Sequence, residues 1–117
     1  MITLLSPAKS LDYESPCLTE RSTQPRLKSD TAVLIEQLKA LSCEEIGSLM
    51  NISDNLALLN HERFQNFAPS FTKKNSRQAI LAFTGDVYKG MNLSEWSADD
   101  FATAQENVRI LSGLYGV

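Results

Sequence analysis

A single histidine, His61, and two cysteines, Cys17 and Cys43, are the only imidazole and thiol groups in 117 residues. They are scattered and lack CxxC spacing, so no zinc site is expected from this chain and no residue is assigned to a metal. The carboxylates do not cluster at ligand spacing either, which argues against direct iron binding. Met1 leads straight into strand-like residues with no basic leader, and no apolar run approaches the length that spans a bilayer. A cytoplasmic location with reduced thiols and no membrane partner is therefore expected. Positive charge is also short: 11 Lys and Arg face 14 Asp and Glu, giving a net charge of −3 and a pI near 5.1. That balance argues against a protein that coats nucleic acid non-specifically, because phosphate neutralisation supplies most of such binding. A phosphate-cradling GxxxxGK(S/T) loop, a GxSxG nucleophile elbow and a metal-binding HExxH are all missing. Internal repeats and low-complexity tracts are missing too.

What is present is an ordinary globular composition, 43% hydrophobic, with room for one domain. Ile2 to Leu5 form a short apolar strand. Residues 14–28 are polar and irregular, with Pro16 and Pro25 keeping a helix out, and a connection this long is either functional or loosely ordered. Ser29 or Asp30 is expected to cap a helix over roughly 31–41, with Val33, Leu34, Leu38 and Leu41 at helical spacing. Ser42 and Glu45 form a capping box for a short second helix that turns Ile46, Leu49 and Met50 inward. Ser53 and Asp54 cap a third helix, which ends near residue 66, before Pro69. "QAILAF", 78–83, reads as a helical start with a strand-like end at Thr84-Gly85-Asp86, and "DVYKGMNLSEW" as irregular or partly helical. Ser97 with Asp100 caps a helix over about 98–107 that carries Phe101, Ala104 and Val108 inward, and "RILSGLYG" is a strand followed by a glycine turn. The order β–ααα–β–α–β is mixed α/β. The apolar, turn-punctuated "VRILSGLYGV" has no polar tail and reads as a segment cut in mid-course, so a longer whole is expected.

Three strand ends resemble one another: "LLSPAKS", "LAFTGDVYKG" and "ILSGLYGV". In α/β sheets ligands bind beyond the carboxyl ends of strands, and parallel strands would gather Lys9, Asp12, Asp86, Tyr88, Lys89 and Tyr115 at one rim. Lys9 and Lys89 attract an anion, while Ser6, Ser10 and Thr84 donate hydrogen bonds to it. Asp86 beside Lys9 is an acid/base or the partner in a salt bridge. The plainer reading is that Ser-Pro and Gly-Asp are turn chemistry.

The helical stretch offers a second arrangement. Two short helices joined by a tight turn present backbone N–H groups to a phosphate, which gives sequence-independent contact with a DNA backbone. One turn lies at "LSCEEIG" with Gly47, the other at "NISDN" with Ser53 and Asn55. The plainer alternative is a three-helix packing unit whose turns face water. Arg63, Lys73, Lys74 and Arg77 fall in a stretch free of acids between Glu62 and Asp86, and form a basic patch or a solvated face.

Taken together, "LLSPAKSLDY", "LMNISDNLALLN", "RFQNF", "QAILAFTGDVYKG" and "ENVRILSGLYGV" resemble the YaaA family of bacterial peroxide-stress proteins, in order and along the whole chain. Members of that family are about twice this long. The resemblance implies that 1–117 is the N-terminal half of a single domain, on an α/β fold peculiar to the family, with a helix-hairpin-helix element within about 31–66. It implies a role in surviving hydrogen peroxide, linked to lowering unincorporated iron. It also implies double-stranded DNA binding through that element and a positively charged cleft, with no cofactor and no secure catalytic activity. By position, Ser6, Pro7, Ala8 and Lys9 match the family's Ser-Pro-Ala-Lys. Gly85, Asp86, Tyr88 and Gly90 match Gly-Asp-Val-Tyr-x-Gly, and Ser112, Gly113, Tyr115 and Gly116 match its later turn. Ser10 stands where threonine is usual. Asn55 stands where lysine is common, which removes one ionic contact at the hairpin.

Two readings follow. In the first, DNA or another anion meets Ser6, Lys9, Ser10, Ser53, Asn55 and the basic residues Lys73, Lys74 and Arg77, beside a cleft that adds Asp12, Gly85, Asp86, Tyr88, Lys89, Ser112 and Tyr115. In the second, an enzyme acts on a nucleotide or another phosphorylated small molecule, with Lys9 holding the anion and Asp86 as acid/base. Lys9 serves equally as a latch paired with Asp12 or Asp86. Oligomeric state is left open by the sequence.

Overall fold

The computed structural model describes residues 1–117. The elements run β1 (Thr3–Leu5), α1 (Lys28–Lys39), α2 (Cys43–Met50), α3 (Asp54–Gln65), α4 (Ala79–Ala82), α5 (Asp86–Gly90), a 3-10 turn (Leu93–Glu95), α6 (Ala98–Asn107) and β2 (Val108–Ile110). This is the expected mixed α/β order. The first and last elements pair: β1 and β2 form a two-stranded parallel sheet with Thr3 opposite Val108 and Leu5 opposite Ile110. The middle strand is reduced to one residue. "AILA" closes a single helical turn, and only Phe83 extends to make an antiparallel bridge with Leu11.

Local capping chemistry sets three helix starts. Ser42 accepts from the Glu45 backbone N–H while the Glu45 carboxylate accepts from the Ser42 N–H, and Ser97 and Asp100 repeat the arrangement for α6. The Ser53 hydroxyl accepts from Leu56 N–H at the start of α3. Helix α1 departs from expectation. It starts at Lys28 behind Leu27, which offers no side-chain cap, so Ser29 and Asp30 lie inside the first turn.

The inward face of α1 also differs. Thr31 and Ile35, four residues apart, are buried, whereas Val33 is 64% exposed and Leu34 is exposed as well. The Thr31 hydroxyl donates to Leu114 O at 2.8 Å, so a polar residue turns inward because the chain's last turn supplies its acceptor. On α2, Ile46 is fully buried, but Leu49 is 66% exposed and does not face inward. Helices α2 and α3 approach closely at Gly47, where a Cβ would stand 3.4 Å from the Ala57 Cβ. The rest of the core is Leu81, Ala82, Tyr88 and Phe101, with Trp96 packed edge-on against Phe101 at 5.3 Å. No helix is long and apolar enough to cross a membrane.

Candidate functional site

Beyond Leu5 the chain runs on through Ser6 and Pro7, bends at Lys9, and is held by three contacts with the segment around α5. The buried Tyr88 hydroxyl donates to Ser6 O at 2.5 Å, Thr84 N–H donates to Ser10 O at 3.0 Å, and Asp12 N–H donates to Ala82 O at 2.7 Å. Burial pushes the Tyr88 hydroxyl above the usual phenol range, which keeps it a donor. The Tyr88 ring lies against Phe83, with centroids 5.5 Å apart. Gly85 permits the approach of the two loops. Its φ of 128° is unfavourable for an L side chain, and a Cβ there would lie 3.7 Å from the Ala8 Cβ. The first two of the three similar strand ends are thus one structure.

Lys9 projects from this assembly toward the helices. Its Nζ donates to Asn51 O at 3.2 Å. Asn51 is the residue after α2, in the left-handed conformation with φ 51°, and Ser53 caps α3 two residues on. The strand-end lysine and the turn "NISDN", inferred separately from the sequence, therefore meet. The expected latch does not form: the ion pairs are Lys39–Glu36 and Lys73–Glu20, and Lys9 pairs with neither Asp12 nor Asp86. Asp12 is engaged elsewhere. Its carboxylate accepts from Glu14 N–H (2.9 Å) and Ser15 N–H (3.0 Å), and the Ser15 hydroxyl, followed by these two N–H groups, holds its pKa down at about 2. Asp86, Lys89, Ser6, Ser10, Ser53 and Asn55 are all exposed.

The third strand end starts beside the first, where Leu111 N–H donates to Leu5 O at 3.0 Å, and then closes a turn of its own. Ser112 and Gly116 exchange backbone bonds at 2.7 and 2.9 Å, and the Ser112 hydroxyl accepts from Leu114 and Tyr115 N–H. Tyr115 packs edge-on against Phe71 at 6.2 Å, and burial, then the nearby Tyr13, pushes its hydroxyl up. Ser112 and Tyr115 thus take part in the packing of α1 and the 67–71 segment.

The basic segment is largely occupied by the chain itself. Arg77 donates to the carbonyls of Ser15, Pro16 and Leu81, and Gln78 donates to Thr19 O and Arg21 O. Lys73 pairs with Glu20. Together they pin the long 14–28 connection. Lys74 is exposed without an ion-pair partner. Arg63 stacks over the Tyr13 ring at 5.2 Å and lines, with Asp12 and Leu59, a cavity of about 440 Å³. No group of three or more His, Cys, Asp or Glu is gathered as a metal site requires. Sequence reasoning missed Asn51; the available signal was an Asn directly after an apolar helical run and ahead of a Ser-Asp cap.

Fold and site together define a mixed α/β chain in which a strand-end loop carries a lysine onto the turn of a close helix pair. The family model described as "Peroxide stress protein YaaA" matches residues 1–117, and the chain belongs to that family. It is 54% identical over 117 residues to a UPF0246 protein of Cupriavidus pinatubonensis, which it matches over 100% of its own length and 45% of the relative's. It is 53% identical to a UPF0246 protein of Cupriavidus metallidurans and 52% identical to one of Teredinibacter turnerae, covering 45% and 46% of them. The chain spans about half the length of the curated relatives it matches.

Proposed function

We propose that this chain contributes to peroxide-stress defence by binding the phosphate backbone of double-stranded DNA at the turn between α2 and α3, with Lys9 as the cation beside that turn. The family description supports the stress role. The observation that carries the DNA reading is the Lys9–Asn51 contact, which sets an exposed ammonium next to a capped helix start. Backbone amides there and a neighbouring lysine suit an oxyanion without reading base identity. Lys74 and Lys89 are further exposed cations without ion-pair partners. In this reading the protein also helps to limit unincorporated iron, by an indirect route.

A phosphorylated small molecule is the competing occupant. The DNA reading is preferred because Lys9 is turned to the helix pair rather than to Asp86. Fluorescence anisotropy of a labelled duplex, titrated at several salt concentrations with this chain and with an intact relative, tests it. Affinity that falls linearly in log–log salt, and is unchanged by Asp86→Asn, supports the proposal. Absence of binding by both proteins overturns it.

A further inference from the structure

A parallel pair of strands standing alone is unusual, because parallel sheets occur almost only with both faces covered. Here β1 is the uncovered side. Ile2 and Leu4 alternate onto one face of the sheet and are 54% and 61% exposed. Leu5 O accepts from Leu111 N–H at 3.0 Å, so Leu5 directs its polar backbone groups at β2. Backbone groups alternate in direction along a strand, which turns the N–H and C=O of Leu4 to the sheet's open edge. A row of this kind is a template for another strand.

The molecular surface gives the scale. The accessible area is 8183 Å². A self-contained folded chain of 13.0 kDa exposes about 6,300 Å². The excess, on the order of 1,800 Å², is more than twice what one partner contributes to a standard interface and suits a permanent one. The radius of gyration, 14.8 Å, exceeds the roughly 13.4 Å expected for this length. Only nine of 117 residues are buried, which is too small a core for a chain complete in its packing.

We infer that the open edge of β1, at Leu4, receives a β-strand from a polypeptide segment equivalent to the part of the family chain that lies outside the match, with the Ile2–Leu4 face covered by the same segment. The relatives supply the occupant's identity and size: all of this chain matches less than half of each of them, so a segment of at least equal length accompanies these residues in those proteins. A second copy of the chain is the rival occupant. This inference is independent of whether the surface near Lys9 binds DNA.

The test co-expresses the 117-residue chain, as one polypeptide, with the unmatched portion of the Cupriavidus pinatubonensis relative as another, and compares the complex with the chain alone. A 1:1 complex by light scattering, with exchange of the Leu4 amide slowed roughly 100-fold relative to the chain alone, is the expected result. Leu4→Pro, which deletes the edge N–H, should abolish the complex, and Leu4→Glu should weaken it at least tenfold. Circular dichroism of each variant chain alone should keep the helical signal of α1–α3, because Leu4 lies outside those helices. The inference is overturned if no complex forms, if Leu4→Pro leaves it intact, or if the chain alone is a homodimer that already protects the Leu4 amide.

Discussion

Lys9 Nζ stands 3.2 Å from the carbonyl oxygen of Asn51, so the loop after β1 and the turn between α2 and α3 form one surface. The contact crosses 42 residues of sequence, and both of its ends are exposed. An exposed lysine of this kind costs little to redirect, and a phosphate arriving at the turn competes for it on favourable terms.

Lys9→Gln should weaken duplex binding uniformly across sequences and lower the log–log salt slope by about 1. Folding stability should change by no more than about 0.5 kcal/mol, since neither partner is buried. Anisotropy and a urea titration on the same sample separate the two effects. A large loss of stability, or an unchanged slope, would remove Lys9 from the interface.

Ser42→Ala should destabilise the chain by about 1 kcal/mol, because it deletes the hydroxyl that accepts from Glu45 N–H. The urea midpoint reports it. Glu45→Ala removes the reciprocal bond to Ser42 N–H, and the double variant should lose less than the sum of the two.

Asp12 gives a pH signature. Its folded pKa, about 2, lies below the ordinary aspartate value of 3.8, so the carboxylate form favours the folded state. That contribution is complete above about pH 4 and is lost as pH falls toward 2. Asp12→Asn, which retains an oxygen for Glu14 and Ser15 N–H, should flatten the acid limb of a stability profile and leave the neutral region nearly unchanged. An acid limb identical in both proteins would assign the sensitivity to other groups.

Tyr88→Phe removes the donor to Ser6 O and should cost about 0.5–1.5 kcal/mol while retaining the ring packing on Phe83. Amide exchange at Thr84 and Asp12, which bond across the same pair of loops, should accelerate more than exchange in α2 or α3. Equal acceleration everywhere would mean that the loops and the helices open as one unit.

The parts of the fold legible in the sequence are those decided within one helical turn. Ser42 with Glu45, and Ser97 with Asp100, announce their helices because donor and acceptor are three residues apart. The face of α1 was not legible. Thr31 turns inward for a carbonyl 83 residues away, and an apolar count cannot register that partner. "AILA" was ambiguous for a similar reason: the bridge to Leu11 starts only at Phe83, and a short apolar run suits either state. At the candidate site, the likeness of "SPAKS" and "TGDVYKG" marked two loops that do meet. The use of Arg77 as a backbone clamp was invisible, because its acceptors Ser15 and Pro16 lie in a connection with no periodic pattern.

The parallel pairing of β1 with β2 joins residues about a hundred positions apart, Leu5 with Ile110. On a ribosome β1 is made about a hundred residues before β2, and waits for that partner while the helices between them are synthesised. The helix pair α2–α3, closed by contacts between near neighbours in sequence, can form long before that. An apolar strand left waiting in this way is where a nascent chain is most exposed to wrong pairing, and most in need of a chaperone's attention.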